Sequence, residues 1–343
     1  MQSPDGLDLT AFGAWAAANG IELVGPLSAS RVEGGHSCLT YLVDDTAGTR
    51  VVVRRPPLGH VLQSAHDVVR EHRIVAALQD TGIPVAPVLG VCDNTDVIGA
   101  PFFVMAFVPG GVLNEGADVP RILPGNDERR TAGFSLVDAL AELHRVDVDE
   151  VGLGDLSRRD GYLDRQLRRW ERQWNASKTR ELDTMTELHE WLVANQPAPS
   201  DEVRIVHGDF RLGNALLNHD GTVAAMLDWE LCTLGEPMAD LAYLLRSWIE
   251  PGEPISSSTE PPTRVGGFPT RQDLTDRYAE RTGRSIESLD YWMAFNAWRS
   301  AAIAEGVLRR YMDGNMGEQD QDLDAFRLGV EISAQAGLDA ARG

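Results

Sequence analysis

A short polar segment between two apolar runs, residues 205–214, constrains this chain more than any other feature. Ile-Val leads into His-Gly-Asp209, and apolar sequence resumes directly after Asn214. Polar side chains between short buried segments lie on a loop, so we expect Asp209 and Asn214 to face one cavity.

A second apolar run, residues 223–227, ends at Asp228. Three oxygen-bearing side chains that converge beside a loop suit Mg²⁺ with nucleotide phosphates, because Mg²⁺ keeps several waters and takes few protein ligands. The alternative is that Asp209 and Asn214 are turn residues and Asp228 is a helix cap. The order and spacing of the full set favour a phosphoryl-transfer site.

The order His-Gly-Asp, four residues, Asn, and then Asp after a second apolar run resembles the catalytic loop of aminoglycoside phosphotransferases and their kinase-like relatives. The resemblance implies that Asp209 accepts the proton of a substrate hydroxyl. It implies that Asn214 and Asp228 hold the metal and that His207 packs the loop in place.

The same resemblance implies an α+β, bilobal protein-kinase-like fold. Residues 1–108 are expected to form a nucleotide-binding lobe built on an antiparallel β-sheet. Residues 109–343 are expected to form a mainly α-helical lobe for catalysis and substrate binding. The nucleotide is expected between the lobes.

A Gly-Gly pair separates two strand-like runs near the N-terminus. It is similar to the phosphate-binding loop of this family, which implies nucleotide contacts for Gly34, Gly35 and Ser37. Cys38 stands where the family usually has Asn, which puts a side-chain contact there in doubt. Most Gly-Gly pairs are simple hairpin turns, and that alternative stays open.

The run Arg50 to Arg55 predicts a strand that the following prolines end, and its alternation puts Val52 and Arg54 on one face. By resemblance, Arg54 takes the place of the phosphate-pairing lysine of kinases, with Arg55 as the rival. Glu71, in a predicted helix over residues 64–79, is implied to pair with Arg54. A strand-end arginine and a solvated glutamate are the alternatives.

A predicted strand over residues 102–108 ends at a Pro-Gly-Gly sequence. The resemblance makes this the hinge and implies that Met105, Phe107 and Val108 line the adenine pocket. A buried strand without a ligand has the same pattern.

Helical spacing predicts helices over residues 131–145, 162–174 and 291–312, whose aromatic residues we expect in the core. Asp240 opens another apolar helix as a cap, and the resemblance adds a bond to the catalytic loop. Residues 251–270 lack periodicity and predict a long loop that could close over substrate.

The run Tyr162 to Trp170 is similar to a branch of the family whose kinase-like domain occurs fused ahead of acyl-CoA dehydrogenases. Matches to this branch extend from about residue 34 to residue 310. The branch implies a hydroxy acid or hydroxyacyl acceptor. The net charge of −21 fits a cationic, aminoglycoside-like acceptor instead. Both remain open.

The same negative charge, with a pI near 4.7, argues against nucleic acid or an anionic membrane as partner. The three cysteines have no CxxC spacing, so neither a disulfide framework nor a zinc site is indicated. The N-terminal residues lack a signal-peptide pattern and no run of 18 apolar residues occurs. We therefore expect a cytoplasmic protein, and the sequence carries no signal of its oligomeric state.

We thus expect ATP-dependent phosphoryl transfer to a small-molecule hydroxyl, with GTP open as the alternative nucleotide. A nucleotide-binding pseudokinase that regulates a partner is the second hypothesis, motivated by Arg54 and Cys38. A protein kinase is disfavoured, because His-Gly-Asp replaces His-Arg-Asp and no Ala-Pro-Glu follows Asp228.

Overall fold

The computed structural model describes residues 4–32, 38–58, 67–198, 202–253, 255, 259–314 and 322–342. The chain divides into two compact units. The first is Met1–Gly110 with Ala224–Leu231, and the second is Gly111–Val223 with Cys232–Gly343. The division of function at residue 108 stays a prediction.

A five-stranded antiparallel sheet forms the framework of the first unit, with the strand order β1-β2-β3-β5-β4. The antiparallel N-terminal sheet expected from the sequence is confirmed. The strands are β1 (Ser28–Arg31), β2 (Leu39–Asp44), β3 (Arg50–Arg55), β4 (Val88–Cys92) and β5 (Phe102–Ala106).

Two helices cover this sheet, α1 (Leu9–Ala18) and α2 (Val68–Leu78). Each begins at an aspartate whose carboxylate accepts a backbone N–H of the first turn, Asp8 for α1 and Asp67 for α2. Phe12 of α1 joins one apolar cluster of the sheet, and Val68 of α2 joins another with Cys38 and Phe103. Both apolar clusters exclude water from the strands of the sheet.

The alternation predicted for β3 is present. Val51, Val53 and Arg55 are buried, and Val52 and Arg54 are partly exposed. A period of two along a strand places these sets on opposite faces of the sheet. Arg54 and Arg55 therefore have different surroundings although they are neighbours in sequence.

The returning segment 224–231 completes the first unit. It contains most of β8 (Val223–Met226) and a 3₁₀ turn, Trp229–Leu231, that packs against α2. The N–H of Met226 donates to the carbonyl of Pro84 at 2.7 Å. Asp228 lies between the strand and the turn, so it belongs to the unit that carries Arg54.

The second unit is mainly helical in its described part, as expected. Its helices are α3 (Val119–Ile122), α4 (Asn126–Leu143), α5 (Tyr162–Ser177), α6 (Asp183–Ala194), α7 (Pro237–Ser247), α8 (Arg271–Thr282), α9 (Leu289–Met312) and α10 (Leu323–Arg342). Its short strands are β6 (Arg204–Val206), β7 (Ala215–Leu217) and β9 (Thr233–Gly235), and β6 pairs antiparallel with β9.

Helix α9 lies at the centre of the second unit and packs against α5, α6, α7 and α10. Its aromatic residues are buried, which confirms their expected place in the core: Tyr291, Trp292, Phe295 and Trp298. Residues 251–270 contain one 3₁₀ turn, Pro262–Val265, in their described part. Their movement over a substrate stays a prediction.

Helix bounds differ from the sequence prediction mainly at α4. The helix begins at Asn126 rather than at residue 131, because Asp127 and Glu128 of its first turn suit the positive end of the helix dipole. Within the part of the chain that the structure describes, no helix combines the length and the apolar character needed to cross a membrane.

Candidate active site

The His-Gly-Asp segment lies on the loop that follows β6. Gly208 has a φ of 85°, in the left-handed region that glycine adopts without a Cβ clash. This conformation lets the chain turn between His207 and Asp209. His207 is fully buried, and its Nδ1 accepts the N–H of Asp209 at 3.3 Å. This environment is consistent with the packing role predicted for His207.

Asn214 and Asp209 are in direct contact. Asn214 Nδ2 donates to Asp209 Oδ2 at 2.7 Å and to the carbonyl oxygen of Asp209 at 2.9 Å. The amide group thus holds both the side chain and the backbone of Asp209. The sequence prediction that these two residues share one place is consistent with this geometry, and their catalytic and metal-binding roles stay predictions.

Asp240 holds the same loop from another side. Its Oδ2 accepts the N–H of His207 at 2.6 Å and its Oδ1 accepts the N–H of Gly208 at 2.9 Å. Asp240 is buried in the first turn of α7. The buried Asp240 carboxylate holds the loop firmly, because hydrogen bonds to a charged acceptor are stronger than those between neutral groups.

A buried histidine lies beside Asp240. His144 Nε2 is 3.6 Å from Asp240 Oδ2, and His144 Nδ1 is 2.7 Å from the hydroxyl of Tyr278. Burial lowers the pKa of His144 below its ordinary value, although Asp240 acts in the opposite direction. His144 is therefore neutral at pH 7.

Arg299 of α9 contacts the loop at the carbonyl of Gly208, to which its Nη2 donates at 2.9 Å. The guanidinium lies against two aromatic rings, 5.3 Å from the centre of Trp170 and 5.2 Å from that of Tyr243. Tyr243 hydrogen bonds to the Asp209 carboxylate, and burial followed by this charge raises the pKa of Tyr243. The phenol therefore stays protonated as a donor to Asp209.

Two guanidinium groups lie at the Asp209 loop within the second unit. Arg211 Nε lies 3.5 Å from Asp209 Oδ1, and Arg299 lies at the neighbouring Gly208. Arg169 lies 5.2 Å from the ring of Trp170, which Arg299 also contacts. Arg211 and Arg299 thus place two guanidinium groups at this loop, in a chain of net charge −21.

In the first unit, Arg54 pairs with two carboxylates. Arg54 Nε is 2.8 Å from Glu71 Oε2, and Arg54 Nη2 is 2.7 Å from Asp228 Oδ1. The side chains of Arg54 and Glu71 are 15% and 5% exposed. Arg55 instead donates to the carbonyls of Pro56 and Ile98, at 3.1 Å each. The geometry thus favours Arg54 over Arg55 as the partner of Glu71.

Asp228 has an unusual backbone. With a φ of 65°, it is the one non-glycine residue among those described that lies in the positive-φ region. Such conformations cost free energy and occur at functional sites where the surroundings enforce them. Arg54 engages Oδ1, and the side chain of Asp228 is 33% exposed. This residue can therefore meet a cation from solvent.

Burial dominates the protonation of the groups around Arg54. Desolvation raises the pKa of Glu71, and the Arg54 guanidinium partly offsets this. Burial also raises the pKa of the Cys38 thiol to about 12. Cys38 is therefore a protonated, apolar neighbour of the ion pair rather than a nucleophile.

The remaining predicted nucleotide-binding residues are placed as follows. Met105 lies in β5 against the apolar cluster of Cys38, and Phe107 and Val108 directly follow that strand. Phe107 is exposed and lies 5.1 Å from the Arg50 guanidinium. Three other predicted residues fall outside the described part of the chain: Gly34, Gly35 and Ser37.

The residues present fit Mg²⁺ that arrives with a nucleotide. The described residues contain no group of three or more His, Cys, Asp or Glu side chains able to hold a metal by themselves. Mg²⁺ in nucleotide sites needs only one or two protein ligands, because phosphates and water supply the rest. Asn214 uses its amide N–H groups on Asp209, so its carbonyl oxygen is the atom suited to a cation.

Two residues at the loop were missed by sequence reasoning. Tyr243 follows Asp240 by three positions on α7, and that spacing places both on one helix face. This signal could have identified Tyr243. Arg299 lies 90 positions after Asp209, and its approach to the loop depends on how α9 packs. Local spacing carries no signal for Arg299.

A solved structure with the same fold comes from Ralstonia eutropha JMP134 and is provisionally assigned as an aminoglycoside phosphotransferase. It is 33% identical, each chain covers 98% of the other, and the TM-score is 0.81. This similarity confirms the kinase-like fold predicted from the sequence.

Curated relatives with similar sequences include two acyl-CoA dehydrogenase family members. Mouse member 10 is 34% identical over 301 residues, which is 86% of this chain and 28% of the relative. Chicken member 11 is 33% identical over 327 residues, which is 93% of this chain and 41% of the relative. The chain thus spans less than half the length of either relative.

The sequence model of the phosphotransferase enzyme family (APH) matches residues 28–257, more than half of the chain. The predicted resemblance is confirmed. The chain belongs to the phosphotransferase enzyme family.

Proposed function

We propose that this chain transfers the γ-phosphoryl group of ATP to a hydroxyl group of a small anionic molecule, a hydroxy acid or a hydroxyacyl thioester. Family membership supports the reaction class. The acceptor class is supported by the two guanidinium groups at the Asp209 loop, those of Arg211 and Arg299.

Asp209 binds the hydroxyl group of the acceptor. Asn214 and Tyr243 orient its carboxylate, and Arg211 lies 3.5 Å from it. The carboxylate aligns the acceptor hydroxyl and accepts its proton as the new P–O bond forms. Asp240 keeps the loop in place through the N–H groups of His207 and Gly208.

The phosphate-binding role falls to the first unit. Arg54 is held by Glu71 and binds nucleotide phosphate as kinases do with their strand lysine. Asn214 and Asp228 hold Mg²⁺, which when bound neutralises charge on the phosphoryl oxygens. Met105, Phe107 and Val108 are assigned to the adenine, and Gly34, Gly35 and Ser37 to the phosphates. GTP remains the alternative nucleotide.

The positive charge of the groups near Asp209 favours a negatively charged acceptor. An aminoglycoside carries several ammonium groups, and the guanidinium groups of Arg211 and Arg299 would repel it. A carboxylate or a phosphorylated carrier is attracted, and guanidinium groups bind such anions in a bidentate manner. The local charge outweighs the overall charge of −21, because exposed charges beyond about 10 Å are screened by salt.

The test is Mg²⁺-dependent ATP consumption with three acceptor pools: aminoglycosides, short hydroxy acids and hydroxyacyl-CoA thioesters. We expect turnover with an anionic pool and a loss of about two to four decades of rate in Asp209→Ala. Asp220→Ala is the matched control, because Asp220 lies in an exposed turn where its carboxylate binds Thr222. Turnover of the aminoglycoside pool alone would contradict the acceptor class.

The KM values of an Arg299→Gln variant provide a second test of the acceptor class. Replacement by Gln is expected to raise KM for the anionic acceptor, with a smaller effect on KM for ATP. Arg327→Gln is the control, since Arg327 pairs with Asp324 at 2.7 Å on the surface of α10. Equal KM values in wild type and Arg299→Gln would remove the acceptor argument but leave the phosphotransferase assignment intact.

A nucleotide-binding pseudokinase is the second candidate. The observation that favours it is the Arg54–Asp228 ion pair at 2.7 Å, which engages an oxygen of the proposed metal ligand. Asp228 must release or share this contact when it holds Mg²⁺. ATP binding without turnover in any pool would favour this candidate, and turnover that depends on Asp209 would exclude it.

A further inference from the structure

The second unit contains a cavity of about 980 Å³ that the loop residues 207–214 do not line. Its walls come from the first turn of α5, the beginnings of β6 and α7, and residues 282–288 after α8. Cavities of this volume accommodate drug-sized ligands. Neither the proposed acceptor site nor the nucleotide site accounts for it.

Two arginines with one shared carboxylate form the polar wall. Arg284 Nη1 lies 2.7 Å and Arg204 Nη2 lies 3.3 Å from the same oxygen, Glu202 Oε2. The arginine side chains are 20% and 23% exposed, whereas Glu202 is 52% exposed. A solvent-accessible carboxylate therefore bridges two largely buried guanidinium groups.

One donor of this arginine pair has no partner in the described part of the chain. Among the described residues, Arg204 Nε is buried without a hydrogen-bond partner. Arg284 Nη2 donates to the carbonyl of His144 at 3.2 Å, which fixes the guanidinium in the wall. Buried donors without partners cost free energy, so a ligand that accepts from them is favoured.

The other charged groups of the lining are arranged around this pair. Arg145 and Arg159 pair with Glu142 and Asp149, which lie outside the lining. Asp164 faces Arg168, also outside the lining, at 3.5 Å. Asp160 and Glu236 complete the charged lining. The carboxylate that neutralises the buried pair is thus Glu202.

An apolar wall faces the same space. Tyr162 and Trp292 are both buried, with ring centres 6.2 Å apart, and Pro237 and Met238 lie beside them in the lining. Burial raises the pKa of Tyr162, so its hydroxyl remains neutral. A guanidinium pair beside aromatic and aliphatic surface matches a carboxylate attached to an apolar body.

We propose that this cavity binds a small organic carboxylate with an aromatic or branched apolar body. Its carboxylate lies between Arg204 and Arg284 in place of the Glu202 side chain. The chemistry of Glu202 identifies the group that fits, because guanidinium groups bind planar carboxylates in a bidentate manner.

Two elements that line the cavity, β6 and α7, also adjoin the catalytic loop. Arg204 begins β6, which ends at Val206 immediately before His207. Pro237 and Met238 begin α7, whose Asp240 binds the N–H groups of His207 and Gly208. The cavity therefore shares β6 and α7 with the residues that hold the catalytic loop. The proposal does not depend on the proposed phosphotransfer.

The test uses phenylacetate as the probe, with 2-phenylethanol as its uncharged match, and measures the Kd by ligand-observed NMR. We expect saturable binding of phenylacetate only. Arg284→Gln should weaken it at least about tenfold, as expected for a lost charge-assisted bond. Glu202→Gln should strengthen it, because the competing carboxylate loses its charge.

Two matched variants separate this site from others. Arg277→Gln removes a half-buried arginine that pairs with Asp138 at 2.7 Å outside the cavity, and it should leave the Kd unchanged. Arg211→Gln, which removes a guanidinium 3.5 Å from Asp209 and outside the lining, should also leave it unchanged, which distinguishes the cavity from the acceptor site. Unfolding midpoints show whether each variant is folded.

The proposal predicts that Arg284→Gln raises the Kd for phenylacetate and that Glu202→Gln lowers it, and these opposite changes test it. A merely structural role of the ion pair predicts weaker or unchanged binding in both variants. Absence of saturable binding to the wild type, or binding that Glu202→Gln does not strengthen, would overturn the proposal. The Glu202→Gln arm remains decisive even if Arg284→Gln fails to fold.

Discussion

Asn214 donates to Asp209 twice, to its carboxylate at 2.7 Å and to its carbonyl at 2.9 Å, across five positions of one loop. A side-chain amide thus fixes both the backbone and the rotamer of the proposed catalytic group. Asp240 holds the same loop through backbone N–H groups. The loop is therefore ordered before any substrate binds, which is what positioning catalysis requires.

We expect Asn214→Ala to lower kcat by about 100-fold, because a catalytic group displaced by about 1 Å loses roughly that factor. Asn214→Asp should be worse, since it places a second carboxylate against Asp209 Oδ2. Steady-state kinetics with the acceptor that the pool assay identifies would measure both effects. Asn218→Ala is the control, because Asn218 binds Thr222 in an exposed turn. Equal kcat values for Asn214→Ala and wild type would contradict the prediction.

Replacing Arg54 should destabilise the first unit. Arg54→Met leaves Glu71 buried without its cation, which costs about 3–5 kcal/mol for a broken buried pair. The double variant Arg54→Met with Glu71→Met should recover much of this loss, because the carboxylate that then lacks Arg54, Asp228, is 33% exposed and can be solvated. Urea unfolding of the three proteins measures the difference. A double variant as unstable as Arg54→Met alone would refute the ion-pair account.

The stability of the chain should depend on pH through His144. Burial lowers the pKa of His144 in the folded protein below the 6.5 of the unfolded chain. Below pH 6.5 the unfolded state therefore binds a proton that the folded state does not, and the free energy of unfolding falls as the pH falls.

This dependence amounts to at most about 1.4 kcal/mol per pH unit for one proton. Urea unfolding between pH 5 and pH 7.5, for wild type and His144→Gln, would measure it. The variant should show the shallower slope. Identical slopes in the two proteins would show that His144 titrates alike in both states.

Cys38 should resist alkylation in the folded protein. Its pKa is raised to about 12 by burial, so almost no thiolate exists at pH 8. Iodoacetamide labelling followed by peptide mass spectrometry should show slow modification of Cys38 in buffer and fast modification in urea. Cys92, which is buried as well and has a raised pKa, is the internal comparison. Rapid labelling of folded Cys38 would contradict the prediction.

Several elements followed from local pattern alone. The alternation of β3 and the long helix α9 are encoded by periods of 2 and 3.6 residues, and both are present. The apolar stripe of α5 is present in part, because Leu167 and Trp174 are buried but Trp170 is only partly buried. The order of Asp209, Asn214 and Asp228 identified the family without any tertiary information. Short, irregular elements such as α3 were not predicted, because their patterns are too brief to distinguish from loops.

The tertiary structure decided which side chains meet. Arg54 and Arg55 are neighbours of the same type, and only the packing of the sheet gives Arg54 the contacts with Glu71 and Asp228. Arg299 reaches Gly208 across 91 positions for the same reason.

Sequence by itself determined which residues are proposed to react and their order, because these depend on residue type and spacing within a few turns of chain. Ion pairs, the two guanidinium groups at the Asp209 loop and the cavity beside Arg204 required the fold. They arise where distant segments pack together, and the free energy of such contacts depends on burial that no local window of sequence contains.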